Sequence, residues 1–344
     1  MLVLSAAEMQ ACDRATTERY GVASIDLMRV AAAAVVAFAR DEFPQARRVT
    51  VLCGRGNNGG DGMMAAWLLA DAGLDVTTLL LGDPEGLKGD AAEAWAELTN
   101  PQRVTVHVVA AAEELGRLKA ALDTDLIVDA VVGTGFKPPL TGLALAALQW
   151  MKTSTAPVLS VDLPSGWAAD ATDAATSSPV FPSDAVITFT APKPAHVFGQ
   201  LTRRWDAPVV VAPIGSPDAA IVSELKLHWA GSARSLVQAS RAAGANKGNF
   251  GHVLVVGGTF GAAGGKAGAP AMAALAALRA GAGLVTAAVP APAMAVVAAA
   301  APELMTWGLE ASAAGSISDA NLAVDRVAAL MAGKTVAAIG PGLG

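Results

Sequence analysis

The feature that most constrains the fold is a repeated order of elements, in which a short aliphatic run ends in a glycine-rich loop and a helical stretch follows. The runs RRVTVLCG, DLIVDAVVGTG and APVLSVDLPSGW are rich in Val, Leu and Ile, as buried strands are. Strands that alternate with helices predict βαβ units and a mostly parallel sheet. The sequence therefore predicts an α/β fold.

The loop GRGNNGGDG, residues 54–62, follows the first of these strands and precedes a helical stretch. Gly54, Gly56 and Gly59 have the G-x-G-x-x-G spacing of a turn that holds a dinucleotide phosphate on backbone N–H groups. A tight turn in which Asp61 caps the helix is the alternative interpretation. Neither explains two adjacent asparagines, so the question is whether a dinucleotide would be a hydride carrier or the molecule acted upon.

Two aspartates stand near the ends of later strands, Asp129 in DAVVGTG and Asp162 in VDLPSG. Ligands of parallel sheets bind outside the carboxyl ends of the strands, so we expect these loops to share one site with the glycine loop. A buried carboxylate needs a cation, a hydrogen-bond network or water, because its burial costs several kcal/mol. Oxygen ligands from Asn58, Asp129 and Ser165 would suit a hard cation.

Asp162 has two interpretations that the residues alone leave equal. It is a general acid or base whose pKa is tuned at the edge of an apolar strand, or it holds the Pro164-Ser165-Gly166 turn by side-chain hydrogen bonds. Lys137 in GFKPP is a phosphate contact, a second proton-transfer group or a solvated loop lysine.

Composition excludes several classes of protein. A net charge of −6 argues against broad binding to nucleic acid. The two cysteines cannot form a disulfide framework or a four-ligand zinc site, and the four histidines show no metal spacing. The apolar runs are too short to span a bilayer, and the N-terminus does not resemble a signal peptide. We predict a soluble, cytoplasmic protein without a membrane partner.

A second series of strands and glycine loops begins with NFGHVLVVGG and ends with KTVAAIGPGLG. Segment 216–245 is the expected boundary, which gives predicted domains at 1–225 and 230–344. A parallel sheet needs neighbouring strands and crossover helices on both faces. We therefore expect the second domain to be incomplete, with an exposed sheet edge that lowers solubility.

Three motifs in the first half, GRGNNGGDG, DAVVGTGF and VDLPSGW, resemble those of the NAD(P)H-hydrate epimerases, the YjeF N-terminal family. The opening AAEMQACDRATTERYGVASIDLM is also similar, and the match covers roughly residues 5–220. In the second half, NKGNFGHVLVVGG, ALAALRAGAGLV and AAIGPGLG resemble the ADP-dependent NAD(P)H-hydrate dehydratases. The resemblance implies a Rossmann-like three-layer αβα domain followed by the beginning of a ribokinase-like domain.

The resemblance implies that the dinucleotide is the substrate. The epimerase would interconvert the R and S forms of hydrated NAD(P)H, and the dehydratase would use ADP and Mg²⁺ to restore NAD(P)H from the S form. A K⁺ ion would be held by Asn58, Asp129 and Ser165. Asp162 would transfer the proton at the hydrated ring carbon, with Lys137 as an assistant. Contacts to the hydrate are implied for Asn57, Asn58, Gly59, Gly60, Asp61, Gly133, Thr134, Gly135, Phe136, Lys137, Pro138, Pro139, Asp162, Ala269 and Gly342.

The chain departs from the dehydratase pattern after its GPGLG turn. The H-P-G-E, K-G-x-x-T-type and G-S-G-D segments of that family are absent, and GGTFGAAGGKAGAP is longer than the usual loop. We therefore expect epimerase activity with little or no dehydratase activity, in a protein predicted to be a homo-oligomer. The alternatives are a non-catalytic nucleotide-binding or protein-interaction module on the same scaffold, and an NAD-dependent oxidoreductase.

Overall fold

The computed structural model describes residues 1–100, 103–231, 241–262 and 264–343. The chain divides into two compact units, Met1–Gly231 and Ser232–Gly344. No helix among the described residues is both long and apolar enough to cross a bilayer.

The first unit contains six helices and seven strands within its described residues. The helices are α1 Ala6–Glu18, α2 Ser24–Glu42, α3 Asn57–Asp71, α4 Asp90–Thr99, α5 Gly142–Met151 and α6 Pro194–Phe198. The strands are β1 Arg48–Cys53, β2 Asp75–Leu81, β3 Thr105–Val109, β4 Leu126–Ala130, β5 Val158–Val161, β6 Ala185–Phe189 and β7 Val209–Ala212.

The strands of the first unit form one parallel sheet in the order β3-β2-β1-β4-β5-β6-β7. Its central strands are buried on both faces, which is why their sequences are nearly continuous apolar runs rather than alternating ones. Helices α2, α3 and α4 contribute to a core cluster on one face, and α5 contributes to a cluster on the other. The predicted three-layer α/β architecture is confirmed.

Two local predictions of the first unit differ from the structure. Strand β3 was not expected, because its exposed and partly exposed positions lack the apolar run of the inner strands; it is the edge of the sheet. The sequence of residues 111–122 predicts a helix, but the structure has two short 3₁₀ segments there, Ala112–Arg117 and Lys119–Leu122. Gly116 lies in the first of them, and glycine disfavours a continuous helix.

The start of the chain is anchored by a capping box. The Glu8 carboxylate accepts the Ser5 backbone N–H at 2.7 Å, and the Ser5 hydroxyl accepts the Glu8 N–H at 3.3 Å. Met9 and Cys12 on the inner face of α1 belong to the same buried cluster as Ala191. Helix α1 is thereby held close to the segment that links β6 to α6.

The second unit has a smaller parallel sheet, with strands in the order β12-β11-β8-β13. These strands are β8 His252–Val256, β11 Leu284–Pro290, β12 Met305–Leu309 and β13 Val336–Ile339, and a two-stranded hairpin is formed by β9 Phe260–Gly261 and β10 Gly264–Gly265. The helices are α7 Gly268–Arg279, α8 Met294–Ala298 and α9 Val324–Met331. Helix α7 packs on one face, whereas Ile339 of edge strand β13 is 67% exposed.

Candidate active site

A cleft opens in the first unit at the carboxyl ends of β1 and β4. Strand β1 pairs with β2 on one side and with β4 on the other, so the connections that follow β1 and β4 leave in opposite directions. Such a switch in strand order is where open parallel sheets bind ligands. The cleft has a volume of about 1120 Å³ and is lined by one face of α1, the start of α3 and the loops after β4 and β5.

The glycine loop after β1 is short, because α3 begins directly after its N-cap, Gly56. Asp61 therefore lies within the helix and does not cap it, so that alternative was wrong. A Cβ at Gly54 would overlap the carbonyl oxygen of Val131, and a Cβ at Gly59 would overlap that of Gly54. The spacing of the glycines thus serves close backbone packing between the loop, α3 and the end of β4.

Replacing Gly59 by alanine is expected to destabilise the protein by about 1–3 kcal/mol, the usual cost of overpacking, because backbone atoms must move. Gly56→Ala is the matched control, since nothing lies within 4 Å of its added Cβ and its φ is −93°. That change should cost less than about 1 kcal/mol. Urea denaturation followed by tryptophan fluorescence measures both, and equal midpoints for the two variants would contradict the packing argument.

Asn58 places an unpartnered amide beside the cleft. Its Oδ1 and Nδ2 atoms are both buried and form no hydrogen bond to any described residue. A Cβ at Gly133 would lie 3.1 Å from the Asn58 Cγ and 2.6 Å from Oδ2 of Asp162, so the amide and the carboxylate flank the same small space. Buried polar atoms are nearly always paired, and this amide is therefore available to a ligand.

Asp129 is fully buried beneath the cleft, and its carboxylate is met by hydroxyl and backbone donors. The Ser165 hydroxyl donates to Oδ1 at 2.5 Å and its N–H to Oδ2 at 2.8 Å, while Ser160 donates to Oδ2 at 3.2 Å. Burial raises the pKa of Asp129 to about 6, against the opposing effect of the Ser165 hydrogen bonds. No positively charged side chain in the described parts of the chain contacts it.

Asp162 lies at the base of the cleft and is held by four hydrogen bonds. The Thr134 N–H and hydroxyl donate to Oδ2 at 2.6 and 2.7 Å. The Thr188 hydroxyl and the Lys193 ammonium donate to Oδ1 at 2.8 and 2.9 Å. Burial by itself would raise the pKa of Asp162, but the Lys193 charge and the Thr134 hydrogen bond outweigh it and hold this pKa well below its ordinary value.

The side chain of Asp162 does not bond the Pro164-Ser165-Gly166 turn, and that role belongs to Asp129. Asp162 instead makes an ion pair with Lys193, which is only 2% exposed. The Asp162 backbone has φ of +64°, a left-handed conformation that is uncommon outside glycine and that persists where the surroundings fix it. The surroundings therefore fix the position of Asp162, and its carboxylate is ionised near pH 7.

His196 fixes the backbone of Asp162 from behind. Its Nδ1 accepts the Lys193 backbone N–H at 2.9 Å, so Nε2 carries the proton and donates to the Asp162 carbonyl at 2.7 Å. Burial lowers the pKa of His196 to about 4, so the ring is neutral near pH 7. His196 is thus a buried histidine with both ring nitrogens hydrogen-bonded, and it supports the site.

Two more carboxylates face the cleft without a hydrogen-bond partner among the described residues, those of Asp13 and Asp61. Burial raises the pKa of Asp61 well above its ordinary value, and the nearby Asp162 charge raises it further. Partial desolvation inside the cleft raises the pKa of Asp13 to about 6, although the Lys193 charge opposes this and the residue keeps contact with solvent. The cleft thus combines one ionised carboxylate with two that hold protons more readily.

The structure brings most of the residues expected to contact a ligand into this cleft. Those that line it are Asn57, Asn58, Asp61, Gly133, Thr134, Gly135, Phe136, Lys137 and Asp162. Gly59, Gly60, Pro138 and Pro139 are not among its lining residues, and Asp129 and Ser165 lie buried below it. Within the described residues, no group of three or more His, Cys, Asp or Glu side chains could hold a metal.

The two remaining residues, Ala269 and Gly342, lie in the second unit and are neighbours there. A Cβ at Gly342 would be 3.2 Å from the Ala269 Cβ and 2.9 Å from the carbonyl oxygen of Lys266. Gly342 has φ of +71°, which suits glycine at this turn.

Sequence reasoning missed the residues that complete the Asp162 network. Lys193, Thr188 and His196 lie in and after β6, more than 20 positions beyond the VDLPSG motif. The signal that could have found them is a lysine in TAPKPAH, directly after a fully buried strand whose parallel end reaches the same rim. The lysine at the expected position, Lys137, lies exposed in the cleft wall.

Comparison with known proteins gives relatives for both halves of the chain. A bifunctional NAD(P)H-hydrate repair enzyme of Moorella thermoacetica is 36% identical over 353 residues, covering 100% of this chain. A second enzyme of that name, from Pyrobaculum aerophilum, is 35% identical and covers 99% of this chain. The chain spans 64% of the length of each of these two relatives.

Two further comparisons concern the first unit. An NAD(P)H-hydrate epimerase of Rhodobacter capsulatus is 36% identical over 225 residues, covering 62% of this chain and 98% of its own length. The crystal structure of yeast ynu0 has the same fold, with a TM-score of 0.53 and 24% identity over 61% of this chain and 88% of that chain. The sequence profile of the YjeF-related protein N-terminus matches residues 24–195, and the chain belongs to that family.

Proposed function

We propose that the first unit is an epimerase that interconverts the R and S forms of hydrated NADH or NADPH, as a step in their repair. The observation that carries this proposal is the ionised Asp162, held by buried Lys193 and facing a cleft beside the free amide of Asn58. The names of the relatives support the substrate class. A binding module without catalytic activity has no need of an ionised carboxylate tied to a buried ammonium.

The cleft provides both the room and the polar groups that the substrate needs. Its volume of about 1120 Å³ reaches the upper end of ordinary ligand pockets. Asn57, Asn58 and Asp61 at the start of α3 and residues 133–137 after β4 line the cleft, and both segments would contact the hydrate. Lys137, exposed in the second of these walls, would meet the negatively charged diphosphate or assist proton transfer.

The chemistry follows from the position of the hydroxyl group, which stands on a ring carbon bonded to nitrogen. Loss of the hydroxyl as water leaves a planar cation, and return of water to the other face inverts the centre. Asp162 is mostly buried and stays ionised near neutral pH, so it would stabilise the developing positive charge. It would also accept the proton of the water that adds.

A K⁺ ion fits the residues below the cleft. Among the residues that the structure describes, Asp129 has no cationic partner and the Asn58 carbonyl oxygen has no hydrogen bond, and Ser165 adds a hydroxyl oxygen. Hard oxygen ligands of this kind suit alkali and alkaline-earth cations. We propose that these three residues hold K⁺, which when bound supplies positive charge next to the buried carboxylate.

Potassium is expected to stabilise the protein in the absence of substrate. At ten times its dissociation constant, a bound ion raises the free energy of unfolding by about 1.4 kcal/mol. The measurement compares melting in KCl with melting in tetramethylammonium chloride at equal ionic strength. Wild type should melt higher in KCl and Ser165→Ala should not, while the exposed control Ser177→Ala should behave as wild type. An identical response of Ser165→Ala and wild type would overturn the site.

We further propose that residues 230–344 are the N-terminal part of an ADP-dependent dehydratase domain that works with Mg²⁺, in which Ala269 and Gly342 would contact the hydrate. Their adjacency in the second unit supports a shared surface. A homo-oligomeric state and a cytoplasmic location stay predictions from the sequence.

The epimerase proposal is tested by following the two forms directly. Purified S-NADH hydrate is mixed with the protein, and the R and S forms are separated by chromatography over time. A return to the equilibrium mixture faster than without protein supports the proposal. If the forms relax at the spontaneous rate although NADH hydrate binds, the epimerase proposal is wrong and a non-catalytic binding module is favoured.

A further inference from the structure

Asp13 of α1 lies on the wall of the cleft and has no role in the epimerisation as proposed so far. The cleft-facing residues of this helix, Met9, Gln10, Asp13, Arg14 and Thr17, recur at the spacing of a single helix face. Asp13 therefore points into the same space as Asp162.

The loop after β4 fixes where this helix face lies relative to Asp162. A Cβ at Gly135 would be 4.0 Å from the Gln10 Nε2, and Gln10 is one turn before Asp13 on the same face. Thr134, next to Gly135, donates two hydrogen bonds to Asp162. On the other side, Cys12 shares a buried cluster with Ala191, two residues before Lys193. These contacts place Asp13 on the wall of the same cleft that Asp162 and Lys193 line.

Asp13 and Asp162 differ in hydrogen bonding, in exposure to solvent and in pKa, the properties that distinguish a general acid from a general base. Asp162 has four hydrogen bonds and an ammonium partner, whereas the Asp13 carboxyl has no hydrogen bond or ion pair in the described part of the chain. Asp162 is 8% exposed, whereas Asp13 is open to the water of the cleft and can exchange its proton. The pKa of Asp13 is raised to about 6, close to the pH at which an acid must work.

We propose that Asp13 is the general acid of the epimerisation, an inference that rests on the proposed function. The Asp13 proton passes to the hydroxyl oxygen, the C–O bond breaks with its electron pair on oxygen, and water leaves. The lone pair of the ring nitrogen forms the C=N bond of the planar cation. Water then adds to the opposite face, and its proton passes through Asp162 to solvent, from which Asp13 is protonated again. Atoms and charge balance, and nothing is oxidised or reduced.

The test is the pH dependence of kcat for wild type and Asp13→Asn, after subtraction of the spontaneous rate at each pH. Wild-type kcat should fall as pH rises through about 6, since the protonated acid is then lost. Asp13→Asn should lower kcat by about 10²–10⁴-fold without that fall, and should change KM only a few-fold. Asp13→Glu should recover part of the rate.

The charged groups that face Asp13 are Arg14 on its own helix, Asp61 on α3, and Asp162 and Lys193 across the cleft. These charges shift the pKa of Asp13, but in the proposed mechanism the proton still comes from Asp13 itself. Asp61→Asn distinguishes the other acidic candidate, and Asp41→Asn, an exposed change on α2, is the control for removal of a charge. Wild-type rate and profile in Asp13→Asn, or loss of the alkaline fall only in Asp61→Asn, would overturn the assignment while the proposed function stands. Inactive wild type would overturn both.

Discussion

Replacing Asp162 by asparagine is expected to lower kcat for epimerisation by about 10²–10⁴-fold, the range for loss of a proton-transfer group. The amide keeps the size of the side chain but carries no negative charge to stabilise the planar cation and accepts no proton. Steady-state rates with the R form, corrected for the spontaneous reaction, measure the loss.

Asp162→Asn by itself leaves the Lys193 ammonium buried without its anion, which is expected to cost about 3–5 kcal/mol of stability. Low activity could then reflect unfolding. The double variant Asp162→Asn/Lys193→Met removes both charges together, and most of the lost stability should return. Its kcat should nevertheless stay low. A double variant that is stable and turns over at the wild-type rate would show that Asp162 takes no part in the chemistry.

The second large effect is expected from Lys193→Met, which leaves the Asp162 carboxylate buried without its cation. The free energy of unfolding should fall by about 3–5 kcal/mol at pH 7. Lys137→Met is the matched control, because Lys137 is an exposed lysine of the same cleft and its loss should cost less than about 0.5 kcal/mol. Urea denaturation at fixed pH measures both variants.

The destabilisation caused by Lys193→Met should depend on pH in a defined direction. In wild type the pKa of Asp162 is depressed below its unfolded value of about 3.9, so its contribution to stability is complete above that pH and is lost only as pH falls through the lower folded pKa. Without Lys193, burial raises the pKa of Asp162 instead. As pH falls the carboxylate is protonated, which removes the cost of the unpaired buried charge. The difference between wild type and variant should therefore be smaller at pH 4.5 than at pH 7. Equal differences at both would contradict the ion-pair account.

The fold could be predicted largely from the sequence, because its inner strands carry their own signal. Strands β1, β4 and β5 are buried on both faces, so their apolar runs mark them even without alternation. Strand β3 gave no such signal, since an edge strand with exposed positions is built from mixed residues. The parallel order of the strands also explains why three separate motifs meet at one rim.

The site was predictable only where its residues belong to compact motifs. Asn58, Asp129 and Asp162 belong to short glycine-containing motifs, GRGNNGGDG, DAVVGTG and VDLPSG, whereas Lys193 is a lone lysine after a strand. Its importance comes from the register of β5 with β6, which a single sequence does not reveal. Asp13 is likewise a polar residue on an amphipathic helix, and only the packing of α1 shows which way it faces. The positions of Lys193 and Asp13 in the site depend on strand pairing and helix packing between distant segments, which residue spacing along the chain does not show.

The measurement that tests the central claim most directly is the recovery of NADH from racemic NADH hydrate. An excess of an independent S-specific dehydratase with ADP consumes the S form at once, and the R form then limits the rate. Adding this protein should make the slow R fraction disappear quickly, and Asp162→Asn/Lys193→Met should not. Omitting the independent dehydratase tests the second unit in the same experiment. If the R fraction persists at its spontaneous rate with folded wild-type protein present, the cleft binds without turnover and the epimerase proposal is wrong.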